Sequence, residues 1–297
     1  MRFANGQLEA VTYLSRYVQP VTFSIVARSD DGLAWGVAVA SKFLAVGSAV
    51  PAARLGVGAI ATQAFANTLY KRDGLAQLVD GRTASETVAA LLAADNGRVH
   101  RQVGVVDAAG RAATFTGTEC FDWAGGVHGD GYAIQGNILV GPEVVGAMRD
   151  SWLGGRDLAL PERLLAALRA GDAEGGDRRG RQSAALLVVS DTGAYTPGDD
   201  LAYDLRTDDH PDPCAELTRL LELHHIYFDR PDEADLLTIE GELADEVAEL
   251  VEILGYPDLA AWVGVENYEV RLVGDRVDRF VIERLREAAA AKRSDPS

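Results

Sequence analysis

From Val21 onward, apolar and polar side chains alternate. VTFSIVARS and LAWGVAVASK each carry the period of a half-buried strand, and Asp30-Asp31-Gly32 between them predicts a hairpin turn. LGVGAIATQ (55–63) predicts a third strand. Over 68–80 and 83–94 the spacing becomes helical. Thr83, with Glu86 three residues on, reads as a capping box, and Gly97 follows as a stop. QVGVVDAAGRAATFTG (102–117) predicts a hairpin that turns between Asp107 and Gly110, and 123–137 is strand-like and rich in glycine. Pro142 opens a helix that runs to about Trp152, and PERLLAALRA (161–170) is another with proline in its first turn. A polar loop, 171–182, leads into a strand at 184–190. Hairpins point to antiparallel pairing, and helices that arrive in pairs suggest helical layers over the faces of stacked sheets. No βαβ alternation is present, which disfavours a doubly wound parallel sheet.

The texture changes near Asp208. DDHPDP (208–213) is a turn cluster, after which helical spacing predominates over 214–226, 240–254, 258–264 and 276–291. The pattern predicts two domains: an α+β domain over 21–211 and a small all-α domain over 212–297. Residues 1–20 have neither period and read as a leader. Asn5, Gln7, Glu9 and Arg16 interrupt any apolar run there, so no export signal is visible and a cytoplasmic location is expected.

Composition narrows the function classes. The chain has 297 residues, with 45 acids against 28 bases and a net charge of −17. So acidic a surface repels phosphate backbones and anionic membranes, and neither nucleic acid nor membrane is an expected partner. The second domain is the more acidic part: from Asp208 to the end there are 23 acids and 9 bases. Two cysteines, Cys120 and Cys214, are too few for a disulfide scaffold and read as reduced thiols. The five histidines lack metal-ligand spacing, so no metal or other cofactor is expected. No GxSxG elbow, P-loop or dinucleotide fingerprint occurs. Cys120 has no partner base in its surroundings.

Thr22 remains as the candidate nucleophile. A threonine hydroxyl needs a base, and a free α-amine on the same residue can serve, because its ordinary pKa of about 8 lies near working pH. Antiparallel pairing of strands 22–29 and 33–41 returns Lys42 toward Thr22, where a cation would lower the amine pKa.

The run VTFSIVARSDDGLAWGVAVASKFLAVGSAVPAARLGVGAIATQAFAN resembles the start of a bacterial and archaeal family called domain of unknown function 1028. RQVGVVDAAGRAATFTG, YAIQGNILVGPEVV and GGDRRGRQSAALLVV extend the resemblance over about 21–211. That family is placed in the N-terminal-nucleophile (Ntn) hydrolase superfamily, which implies a four-layer αββα sandwich. It implies Thr22 as nucleophile, its amine as base and Lys42 beside it. Ser24 lies on the Thr22 face of the first strand, and Ser41 precedes Lys42. Gln63, Asn67 and Asn137 stand as polar residues in small or apolar stretches and are candidate oxyanion donors; Asn67 and Asn137 as turn braces is the alternative. Asp177 is placed to orient its arginine neighbours, and Arg178, Arg179 and Arg181 suit a substrate carboxylate. The alternatives are a salt-bridged turn for that loop and a solvated strand end for Lys42.

The implied activity is hydrolysis of a small amide or ureido compound through an acyl-threonine intermediate. The implied partners are that substrate and further copies of the chain. One departure stands out: family members begin near Met-Thr-Phe-Ser, whereas Val21 precedes Thr22 here and a leader precedes Val21. Initiation at a GTG codon read as Val21, or autoproteolysis, would free the amine. LLELHHIYFDRPDEADLLTIEGELADEVAELVEILGYPDLAAWVGVENYEVRLVGDRVDRFVIERLRE resembles a peptidoglycan-binding-like helical module, through LGY, Trp262, Glu266-Asn267, Arg271, Asp278 and Leu285. This implies a peptidoglycan fragment as a candidate ligand, against a purely accessory or dimerising role. The reading from another class is a non-catalytic Ntn-like binding protein that carries this module.

Overall fold

The alternation that starts at Thr22 forms β1 (Thr22–Arg28), and Gly32, at φ +77°, turns the chain into β2 (Ala34–Ser41). A computed structural model describes residues 22–196 and 198–294. The leader expected over 1–20 lies outside the described residues. After β2 come a short helix α1 (Val46–Ala49) and a hairpin of β3 (Pro51–Arg54) and β4 (Gly58–Ala64). Sequence periodicity shows only the second strand of that hairpin, because β3 is four residues long and begins with proline.

Helices α2 (Leu69–Val79) and α3 (Ala84–Ala93) follow. The capping box at α3 forms: Thr83 Oγ1 accepts from Glu86 N at 3.2 Å, and the Glu86 carboxylate accepts from Thr83 N at 2.8 Å. Next come β5 (Arg101–Asp107), β6 (Ala112–Thr116), β7 (Gly125–Gly129) and β8 (Tyr132–Asn137). The glycine-rich stretch is thus a hairpin, turned at Gly131 with φ +76°. Helices α4 (Glu143–Gly154) and α5 (Leu160–Ala173) precede the strands β9 (Ser183–Ser190) and β10 (Leu201–Thr207).

These strands form two antiparallel sheets, ordered β10-β9-β2-β1-β8-β7 and β3-β4-β5-β6. Side-chain alternation gives each sheet two faces. One face of the four-stranded sheet packs Ile60, Val103 and Val105 against Tyr70, Leu78, Val88 and Leu91 of α2 and α3. The six-stranded sheet meets α5 on its outer face, where Leu164 closes over Gly36. The inner faces of the two sheets share a core of Val26, Val37, Val39, Ala59, Ala61, Val106 and Ala133. Toward the Thr22 end, the inward positions of β1, β4, β5 and β8 change character. Ser24, Gln63, Gln102, Gln135 and Asn137 replace the valines and alanines, and all are buried.

The chain divides into compact units at Arg219/Leu220, within helix α6 (Pro213–Phe228). The second unit contains α7 (Gly241–Leu254), α8 (Leu259–Glu266) and α9 (Arg279–Ser294) around a core of Trp262, Val263, Val277, Val281, Ile282 and Leu285. The spacing predicts an all-helical domain, and here the structure differs. A small antiparallel sheet joins β11 (Leu236–Thr238), β13 (Arg276–Asp278) and β12 (Leu272–Val273). Strands of two or three residues are too short to register as a period-2 pattern. Among the described residues, no helix is long and apolar enough to cross a membrane.

Candidate active site around Thr22

Thr22 opens β1 between its two neighbouring strands. It pairs with Ser41 of β2 on one side and Asn137 of β8 on the other. Its side chain is buried, and Oγ1 donates to Ser41 Oγ at 3.3 Å. The Thr22 carbonyl accepts from Gln63 Nε2 at 3.0 Å and from Asn137 Nδ2 at 3.3 Å. Both amides also donate to one acceptor, Gln102 Oε1, at 2.8 and 3.0 Å. Gln102 in turn donates through Nε2 to the Gly136 carbonyl and Thr116 Oγ1, both at 2.8 Å, and to the Gly125 carbonyl at 3.2 Å. Ser24 completes the set, donating to Gln63 Oε1 at 2.6 Å and accepting from Gln135 Nε2 at 2.7 Å. Gly104 makes room for that last amide: a Cβ there would lie 2.1 Å from Gln135 Oε1.

This network assigns the expected residues different tasks. A carboxamide has two N–H hydrogens, and those of Gln63 and Asn137 are taken up by the Thr22 carbonyl and Gln102. In this geometry they clamp the Thr22 carbonyl and offer no free donor to an oxyanion. Both strands end here, β4 at Ala64 and β8 at Asn137. Ala64 (φ +63°) and Ile138 (φ +48°) occupy the left-handed region, which is costly for a non-glycine residue and most of all for a β-branched one. Asn67 lies elsewhere. Its Nδ2 donates to Asp95 at 3.1 Å and its Oδ1 accepts from Leu69 N at 3.2 Å, so it braces the start of α2 rather than facing Thr22.

Asp95 gathers that corner. Burial opposes its ionisation. Bonds from Arg101, Asn67, the Gly97 amide and Tyr70 outweigh burial and hold its carboxyl well below the usual range. Tyr70, buried and donating to this carboxylate at 2.9 Å, is pushed up.

On the other side, Asp177 is buried and ties two segments together. Its carboxylate accepts from Lys42 N at 2.6 Å and from Arg179 N at 2.9 Å, and pairs with the Arg179 guanidinium at 3.2 Å. Arg179 also donates to the Lys42 carbonyl at 3.0 Å. Arg181 pairs with Asp172 at 2.8 Å. Lys42 follows the Thr22 partner Ser41 but is exposed, and its ammonium donates to the Arg181 carbonyl at 3.0 Å. The Thr22 hydroxyl bond goes to Ser41 instead. Arg178 differs from its neighbours: its backbone N–H donates to the Ile138 carbonyl at 3.1 Å, and its exposed guanidinium makes no ion pair or hydrogen bond among the described residues.

Burial raises the pKa of both free thiols, which disfavours a reactive thiolate at Cys120 or Cys214. Among the described residues, no group of three or more His, Cys, Asp or Glu is placed to hold a metal ion.

Gln102 and Gln135 were not among the residues singled out from the sequence. Gln102 shares the inward face of β5 with Gly104 and Val106, and Gln135 that of β8 with Ala133 and Asn137; a polar residue in line with such small or apolar positions is the signal that marks them.

Comparison with known proteins gives a family whose function is unknown. The model of a family of unknown function, DUF1028, matches residues 22–217, and the match begins at Thr22 itself. The crystal structure of protein SPO2555 from Silicibacter pomeroyi, also assigned to DUF1028, is similar to this chain at a TM-score of 0.61 and 32% identity. The similarity covers 76% of this chain and 93% of that one. No curated protein matches the sequence. With the family match spanning residues 22–217, most of the chain, the protein belongs to the DUF1028 family.

Proposed function

We propose that this protein is an N-terminal-nucleophile amidohydrolase in which Thr22, with a free α-amine, cleaves a small amide or ureido compound. The observation that carries the reading is the position of Thr22: first residue of an interior strand, hydroxyl on Ser41, carbonyl clamped by Gln63 and Asn137. The start of the family match at the same residue supports it. So does the packing order of helix pair, sheet, sheet and helix pair, which suits the four-layer Ntn sandwich.

In this reading the amine takes the Thr22 hydroxyl proton and Oγ1 attacks the substrate carbonyl carbon. The tetrahedral adduct collapses, the C–N bond breaks, and the ammonium returns the proton to the leaving nitrogen. Water then attacks the acyl-Thr22 ester with the amine again as base, releasing the acid. Ser41 steadies the hydroxyl before attack. Arg178 is the residue for a substrate carboxylate, because Arg179 and Arg181 are committed to Asp177 and Asp172.

The chemistry requires that Thr22 not be joined to Val21. Hydrolysis of a panel of small amides and ureido acids tests it, using protein that begins at Thr22. Product release is expected, abolished in Thr22→Ala and partly kept in Thr22→Ser. Turnover unchanged in Thr22→Ala would overturn the reading. The Val21–Thr22 peptide bond and the buried hydroxyl favour a second reading, a non-catalytic binding protein, for which a peptidoglycan fragment is the ligand that the resemblance of the second unit implies. Retention of the chain on purified cell wall, with Val21 still in place, would support that one.

A further inference from the structure

We infer that Gln102 is the positioning residue of the proposed threonine nucleophile, acting through Gln63 and Asn137 rather than on substrate; the inference rests on the function proposed above. Gln102 is fully buried on β5, in the sheet opposite Thr22. Its orientation is fixed independently of Thr22. Nε2 faces the carbonyls of Gly136 and Gly125, which can only accept, so Oε1 must point the other way. That single oxygen receives both Gln63 Nε2 and Asn137 Nδ2 and thereby forces each amide to present N–H, not C=O, to the Thr22 carbonyl. Ser24 reinforces the same polarity at Gln63 by donating to its Oε1.

The consequence is specific to a free N-terminus. Once the bond to Val21 is absent, Thr22 is held by one peptide bond, by its hydroxyl contact and by this carbonyl clamp. The clamp fixes rotation about the Thr22 Cα–C bond and hence where the amine and Oγ1 point. A displacement of about 1 Å at a reacting group costs on the order of 10²-fold in rate. Gln102 sets that geometry without contact to the reacting atoms.

The test uses protein from its natural host, wild type beside Q102M and Q102E, with a small β-lactone as electrophile. Acylation of Thr22 is followed by intact mass against pH, and folding by far-UV circular dichroism over the same range. Wild type is expected to react faster as pH rises through the amine pKa, about 8, and then to level off. Q102M, folded, is expected to react roughly 10²-fold more slowly. Q102E is the sharper variant. Protonated, it accepts from both amides and donates its O–H to the Gly136 carbonyl, so it reacts near the wild-type rate at low pH. Ionised, it confronts the Gly136 and Gly125 carbonyls with no proton to give, so its rate falls on the alkaline side where wild type stays level.

Folded Q102M acylated at the wild-type rate would overturn the role of Gln102. So would a Q102E profile with no alkaline fall, and that profile decides the question if Q102M does not fold. A wild-type protein that does not acylate at Thr22 overturns the proposed function itself.

Discussion

The Ser24 hydroxyl lies 2.6 Å from Gln63 Oε1, joining the central strand of one sheet to the facing strand of the other. Sheets that face each other are usually glued by apolar side chains, and here Val26, Val37 and Ala61 do that over the rest of the interface. At the Thr22 end the glue is hydrogen-bonded and directional. A polar cluster cut off from water is stable only when its members are satisfied, and that requirement gives each amide one orientation.

Ser24→Ala tests the bridge. The substitution removes a donor from Gln63 Oε1 and an acceptor from Gln135 Nε2, both buried. Leaving such groups unsatisfied costs about 1–3 kcal/mol. Urea unfolding of the full chain should show a lower midpoint, and an unchanged midpoint would mean that the network is re-formed without Ser24.

Asp95→Asn separates charge from shape at the Asn67 corner. Because the folded-state pKa of Asp95 is depressed, its contribution to stability is complete above the unfolded value, near 4, and is lost as pH falls through the folded value below it. Wild type should therefore lose stability on acidification below about pH 4. The variant should be less stable near neutrality, by about 2–3 kcal/mol, and flatter on the acid side. Parallel acid slopes for the two proteins would contradict this.

Asp177→Ala removes the tie between the end of β2 and the loop that carries Arg178. The Lys42 and Arg179 amides and the Arg179 guanidinium lose their acceptor together. A loss of about 3 kcal/mol is expected, because one partner of a buried charged pair is left behind. Thermal unfolding of Asp177→Ala and Asp177→Asn should rank them in that order of damage, since asparagine keeps one carbonyl oxygen. Equal midpoints for both and for wild type would remove Asp177 from this role.

Much of this arrangement can be read from residue order. The turn Asp31-Gly32 between alternating runs predicts β1 and β2, whose pairing brings Thr22 opposite Ser41. Thr83 and Glu86 announce the start of α3. Gln63, Asn137 and Ser24 are recognisable as polar residues at inward strand positions, yet their tasks are not, because the partner that orients the two amides, Gln102, stands beside Gln63 on β5 but across the sheet interface from Asn137 and Thr22. A period reports which face a residue occupies, not what lies across the gap. The same limit hides β11, β12 and β13: short strands between helices are stabilised by tertiary pairing, not by local pattern. Asn67 shows the converse, a polar residue in a suggestive place whose bonds are spent on a turn.

The central claim is that Thr22 acts through a free amine, and its most direct test is the intact mass and N-terminal sequence of the protein purified from its natural host. The account predicts a chain that begins at Thr22. A mature chain that retains Val21 and the residues before it would contradict it, since the proposed base would then be a peptide nitrogen whose lone pair is delocalised into the carbonyl and does not take up a proton at working pH.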